Sequence, residues 1–191
     1  MASLDGWRAL LPVVLLLTAI ESGNCAAQAQ SVCCTESGAL TGSITIDACP
    51  TVVFEAIKRS RYQEPERRKV VEKSGNRVVL EESFATIPII GSAVCRYEEV
   101  EVPNKRIDYS IIASRQFKQF EGAWELQPIN GGAATRLKLT SKIDTYVAVP
   151  FKKQITHAGC RKDIRRRLNN IKRYVESNDR TRVSLRSQAA Q

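Results

Sequence analysis

Phe120-Glu121-Gly122-Ala123-Trp124-Glu125-Leu126, followed by Asn130-Gly131-Gly132 and Thr135-Arg136-Leu137-Lys138-Leu139, is the stretch on which the fold turns. On both sides of the glycines, large apolar residues recur at every second position: Phe120, Trp124 and Leu126 before, Leu137, Leu139 and Ile143 after. A period of two means a strand with one face buried. Asn-Gly-Gly between two such runs is a hairpin turn, because Asn and Gly accept the left-handed backbone that tight hairpins need. The spacing predicts paired strands over 119–128 and 134–144.

Working outward, the same pattern repeats. Residues 69–73 and 77–84 flank Ser74-Gly75-Asn76, and residues 94–102 and 106–113 flank Pro103-Asn104. An earlier strand, with Leu40, Gly42, Ile44 and Ile46 on one face, runs into Asp47-Ala48-Cys49-Pro50. Pro suits a first helical turn, so a short helix is predicted through Ser60, its apolar side made by Val53, Phe54 and Ile57. Residues 61–68 read as loop, and 30–38 as a loose leader. Toward the C-terminus the period changes. Phe151, Ile155, Ala158, Ile164, Leu168, Ile171 and Val175 recur at three- and four-residue steps, one face of a long amphipathic helix ending near Ser177. Residues 178–191 read as a disordered tail.

The predicted class is therefore α+β: a curved antiparallel sheet of about seven strands around a long C-terminal helix. One long helix must bury its apolar stripe on the apolar sheet face. A bent sheet and one helix do not always fill the space between them, so a ligand cavity is expected there. Its predicted wall is Tyr97, Ile107, Tyr109, Ile111, Phe120, Trp124, Leu137, Leu139, Ile164 and Leu168. The same aromatic residues could instead simply fill the core.

Residues 1–29 have the n-, h- and c-region order of a cleavable export signal, with Arg8, the apolar run 9–20 and a cleavage site near Ala29. The expected location is outside the cytoplasm: secreted, periplasmic or lumenal. Export permits disulfides, and Cys34 with Cys49 or Cys95 with Cys160 are candidate pairs among alternatives that spacing leaves open. With 29 Lys+Arg against 20 Asp+Glu, the chain has a formal net charge of +9. Its densest basic run, Arg161, Lys162, Arg165, Arg166, Arg167, Lys172 and Arg173, is expected on the outer face of the long helix. There it would make transient contact with an anionic membrane surface, or face acidic strand edges at Glu98, Glu99 and Glu101. Nucleic acid is not an expected partner, since no aromatics interleave with the cations.

In element order the chain resembles the START-like (SRPBCC, helix-grip) superfamily, in particular its polyketide cyclase/dehydrase and coenzyme Q-binding START-type members. The resemblance covers roughly residues 38–177. It rests on Gly42-Ser43-Ile44-Thr45-Ile46-Asp47-Ala48 running into a helix, on Ile107-Asp108-Tyr109, on the Phe120–Leu126 and Thr135–Leu139 pair, and on Arg165-Arg166-Arg167-Leu168 in the closing helix. It implies a START-like domain over 39–177 with a tunnel for sterols, quinones, lipids or polyketides.

No Gly-rich phosphate loop, nucleophile elbow or metal motif is present. The only His is His157, so neither a metal nor a cofactor is expected. The catalytic candidates are Tyr109 and Glu82, which shares the parity of Val78, Leu80 and Phe84. A buried carboxylate with a raised pKa could serve as general acid; Asp108, Glu121 and Glu125 are further carboxylates that could project inward. The loop Ile87-Pro88-Ile89-Ile90-Gly91, apolar yet broken by Pro88 and Gly91, is the expected gate. The leading expectation is a non-catalytic carrier or sensor of a hydrophobic small molecule. The alternative is a polyketide cyclase or dehydratase using the same cavity, and the third reading is an interaction protein that fills its own groove.

Overall fold

Alternating strands and two helices appear where the two periodicities place them in the computed structural model, which describes residues 31–87, 91–146, 148 and 150–188. The export segment read in residues 1–29, and Pro88, Ile89 and Ile90 of the apolar loop, lie outside those residues. In chain order the elements are β1 (Val32–Cys34), β2 (Leu40–Ile46), α1 (Pro50–Ser60), β3 (Arg68–Ser74), β4 (Arg77–Ile87) and β5 (Gly91–Val102). Then follow β6 (Arg106–Ser114), β7 (Phe117–Ile129), a single 3-10 turn (Asn130–Gly132), β8 (Ala134–Thr145) and α2 (Lys152–Gln188). The strands form one antiparallel sheet in the order β1-β2-β8-β7-β6-β5-β4-β3, with α2 packed on β2 and β8. The turns behave as their residues require: Gly75, Asn104, Gly131 and Gly132 all have positive φ.

Two expectations change. The sheet has eight strands, because the leader contributes β1, which pairs with β2 from Val32↔Gly42 to Cys34↔Leu40. A three-residue strand is too short to show a period. What fixes it is the turn, in which Thr35 N–H donates to the Ala39 carbonyl at 2.7 Å, and the packing of Val32 against the core. At the other end, α2 continues as helix through Gln188 rather than ending at Ser177.

The core lies between the sheet's inner face and the helices. Ile164, Leu168 and Ile171 of α2 are at most 2% exposed, and each such side chain stabilises the fold by about 1.5–3 kcal/mol through burial. They meet Leu40, Leu137 and Leu139 from β2 and β8. The five described cysteines, Cys33, Cys34, Cys49, Cys95 and Cys160, are free thiols, so neither candidate disulfide forms. Burial pushes the Cys95 thiol up to about 12 and the Cys160 thiol up to about 11. Both should therefore stay unmodified by an alkylating reagent at neutral pH while exposed Cys33, Cys34 and Cys49 react, as peptide mapping would read.

Candidate functional site

The expected wall residues do line the inner face of the sheet, and they fill it. Tyr97 (β5), Ile107 and Tyr109 (β6), Phe120 and Trp124 (β7) and Leu137 and Leu139 (β8) are all buried, and Ile111 is half-buried. The rings pack on one another: Tyr97 and Phe120 have centroids 5.1 Å apart, Tyr109 and Phe120 5.3 Å, and Phe84 and Phe117 5.3 Å. Among the described residues, the gap left between these rings and Ile164 and Arg167 of α2 is about 10 Å³. That is close to the least space that holds one water. The open greasy hollow expected from a bent sheet and one helix is thus closed in this conformation. Two features account for this: an aromatic cluster on one side, and charged side chains drawn inward on the other.

Apart from Glu82, those charges were not expected inside. Arg61, Arg67, Arg68 and Arg167 meet Glu82, Glu99, Glu101 and Asp163, matched in number. Glu82 is the hub of the larger cluster. The carboxylate is 0% exposed and takes Arg167 Nη2 at 2.7 Å, Arg68 Nη2 at 3.0 Å and Arg67 Nη2 at 3.2 Å. Tyr97 donates its hydroxyl to Glu82 Oε2 at 3.1 Å. The register places Arg68 directly opposite Glu82 across β3 and β4. Asp163, one helical turn before Arg167, accepts from its Nε at 2.6 Å. A second buried cluster joins Arg61, at the end of α1, to Glu99 at 2.7 Å and Glu101 at 2.6 Å on β5.

This geometry decides the protonation states. Burial alone would raise the pKa of Glu82, but the charges of Arg167 and Arg68 and the Arg167 hydrogen bond outweigh it, and the carboxyl is held below its usual range. Glu82, a general-acid candidate by its parity, does lie inside, where three paired arginines favour its ionised form over the protonated form such a role needs. Asp163 is depressed by the same logic, with burial opposed by Arg167 and Arg166. Burial pushes both Tyr97 and Tyr109 up, so both keep their protons. Tyr109 donates to the Thr140 carbonyl at 3.1 Å. Asp108, Glu121 and Glu125 do not project into this interior; Asp108 and Glu125 pair with Arg106, and Glu125 also with Lys138, as partly or fully exposed groups.

The basic face of the helix is thinner than its sequence implies. Arg161, Lys162, Arg165 and Arg173 are exposed. Arg167 is turned into the core, Arg166 bridges Asp163 and Glu64, and Lys172 reaches the Thr45 carbonyl and Glu176. Glu99 and Glu101, expected on acidic strand edges, are buried with Arg61. At the expected gate, β4 runs to Ile87 and Ile87 pairs with Gly91. His157 is half-buried on α2.

Sequence reasoning missed Arg61, Arg67, Arg68 and Asp163. Asp163 and Arg167 did carry a signal: they lie at helical steps between Cys160, Ile164 and Ile171, on the buried face. Glu99 and Glu101 carried one too, sharing the parity of Cys95 and Tyr97.

A curved antiparallel sheet wrapped on a C-terminal helix defines a helix-grip, START-like protein. Residues 37–176 match the family described as polyketide cyclase / dehydrase and lipid transport, and the chain belongs to that family. Solved structures of the same fold include the Zhui aromatase/cyclase from Streptomyces sp. R1128, at 14% identity and a TM-score of 0.62, covering 72% of this chain and 93% of that one. TTHA0849 from Thermus thermophilus is similar at 18% identity and a TM-score of 0.61, covering 73% and 98%. A START superfamily protein from Mycobacterium smegmatis is similar at 13% identity and a TM-score of 0.54, covering 73% and 97%. No curated protein matches the chain.

Proposed function

We propose that this protein binds a lipid-like small molecule without transforming it, and that the ligand enters by displacing the aromatic cluster between α2 and the sheet. The observation that carries this reading is the chemistry of the inner wall. Its carboxylates Glu82 and Asp163 are held ionised by arginines, and its tyrosines and thiols are held protonated by burial. Acid–base catalysis near neutral pH needs a group poised to change state there; recognition of an apolar molecule needs only the rings. Family membership supports a hydrophobic ligand. The order of regions in residues 1–29 supports a role outside the cytoplasm, where sterols, quinones or fatty acids are the ligand classes to try.

Because the closed state has room for about one water, binding should be gated. Only the fraction of molecules already open can accept ligand, so apparent affinity falls by that fraction. Trp124 is 5% exposed and borders the gap, which makes its emission a direct reporter. Titration with fatty acids, sterols and quinones should shift or quench that emission, at a rate that levels off with ligand concentration. Native mass spectrometry should show a one-to-one adduct. No emission change and no adduct across the panel would overturn the reading.

The second reading is a cyclase, favoured by Tyr97 and Tyr109, whose protonated hydroxyls stand at the same gap and could donate hydrogen bonds to a polyketide carbonyl. Its test is turnover: with a poly-β-keto thioester mimic, Tyr109→Phe should lower kcat about tenfold or more. An unchanged kcat removes Tyr109 from any such chemistry.

A further inference from the structure

One end of the molecule carries aromatic side chains that the fold leaves in solvent. Tyr146 is 64% exposed and Phe151 73% exposed, both in the connection from β8 to α2. Phe151 sits at φ 59, a left-handed backbone that a bulky residue adopts at a cost. Its carbonyl accepts the Ile155 N–H at 3.1 Å as α2 begins. Tyr146 N–H donates to the Gln116 carbonyl at 3.1 Å, which sets this connection beside the turn between β6 and β7. That turn is tied to β5 through Ser114, whose hydroxyl donates to the Val94 carbonyl at 2.7 Å and accepts from Gln116 and Phe117 N–H. Val94, 46% exposed, joins the same rim.

The charge around this rim is mainly positive. Arg115, Lys118 and Lys153 are exposed, and among the described residues none of them has a carboxylate within ion-pair distance. Of the acids nearby, Asp144 is bound to Lys152 at 2.7 Å and also lies in the field of Lys118, and exposed Glu121 accepts from Gln119 Nε2 at 2.7 Å. In sequence, residues 146–151 contain no charged residue and lead directly into Lys152-Lys153.

A scattered exposed apolar residue means little. Two aromatics in one connection, next to exposed cations, match the two forces that hold proteins at a bilayer. A tyrosine ring, with its polar tip, favours the headgroup level, a phenylalanine ring favours the headgroup/acyl boundary beside it, and cations are drawn to acidic lipid over about one Debye length. We propose that this end docks on an anionic lipid surface, with Tyr146 and Phe151 seated among the headgroups and Arg115, Lys118 and Lys153 over the acidic lipids. The assignment moves membrane contact away from the basic face of α2, where Arg166, Arg167 and Lys172 are otherwise engaged. It is independent of what the interior binds.

The experiment is co-sedimentation of the full chain with phosphatidylcholine vesicles, with and without about one third phosphatidylglycerol, across a salt series. The protein should bind the anionic vesicles and release as salt rises. Tyr146→Ser with Phe151→Asn, both exposed and the second suited to a left-handed backbone, should weaken binding about tenfold or more. Neutralising Arg115, Lys118 and Lys153 with Gln should weaken it by about fivefold per charge at low salt. Arg161→Gln with Arg165→Gln on α2 should leave it unchanged. Circular dichroism confirms that each variant is folded. The proposal is overturned if the wild type ignores anionic vesicles, or if the Tyr146/Phe151 variant binds like the wild type. It is also overturned if the α2 variant is the one that loses binding. A concentration-dependent dimer abolished by the Tyr146/Phe151 variant, with no vesicle binding, would make the rim an interface between copies instead.

Discussion

Glu82→Gln is expected to destabilise the fold by about 3–5 kcal/mol, because removing one member of a buried ion cluster strands the rest. The Gln keeps the shape and loses the charge, so Arg67, Arg68 and Arg167 face one another with Asp163 as the remaining nearby anion. For a domain of this size that corresponds to a Tm lower by roughly 10–15 °C. The pH dependence distinguishes lost charge from lost packing. Glu82 and Asp163 are both depressed in the folded protein. Their stabilisation is complete above the unfolded carboxyl range near pH 4 and is lost as pH falls through the lower folded values. Wild-type stability should thus decline on acidification below about pH 5, and the Gln variant should decline less steeply, since it has already lost the Glu82 share. Glu82→Gln with Arg167→Gln should cost less than the two single changes together. Urea midpoints at several pH values check all of this. A single variant within about 1 kcal/mol of wild type, with an unchanged acid slope, would mean that Glu82 is not the hub of a paired cluster.

That cluster also marks where sequence reading stops. The strands after β1 were legible because apolar residues recur along them at a period of two, and the hairpins because Gly and Asn stand where φ turns positive. The closing helix was legible from Ile164, Leu168, Ile171 and Val175. Arg167 was not, since it stands in the run Arg165-Arg166-Arg167, and a run of like charges reads as a solvated face. Its spacing from Ile164 and Ile171 says otherwise, but spacing cannot show that a carboxylate waits inside to receive it. That partner arrives from β4, and its other ligands come from the residues that precede and open β3, far away in sequence. Apolar patterning reports which face is buried. It does not report whether a polar residue on that face will be paired, and pairing is what turned an expected hollow into a filled interior. Parity did place Glu82 inward. Its protonation state depends on arginines that no period reveals.

Gly122→Ala should be the most damaging one-methyl change in the sheet, at about 3 kcal/mol or more, the upper range for overpacking. β7 lies inside the sheet, with Gly122 paired to Tyr109 on one side and Ser141 on the other. The side chain of Tyr109 crosses the space where a Cβ would stand. A methyl there would meet the Thr140 carbonyl oxygen and lie 2.5 Å from the Tyr109 hydroxyl and 2.6 Å from its Cζ. The tyrosine can swing away, at the cost of its hydrogen bond to Thr140. The carbonyl cannot, because it belongs to a strand paired along both edges. The two contributions separate in a Tyr109→Phe background. That change alone removes one hydrogen bond, about 1 kcal/mol, and adding Gly122→Ala to it should still cost most of the original penalty. Denaturation midpoints of the four proteins decide the matter. If alanine at 122 is tolerated in the wild-type background, the Tyr109 ring does not lie across β7 and the inner wall is looser than its packing implies. If it is tolerated only with Phe at 109, the hydroxyl alone sets the limit, and the gap beneath α2 could be enlarged by trimming that one side chain.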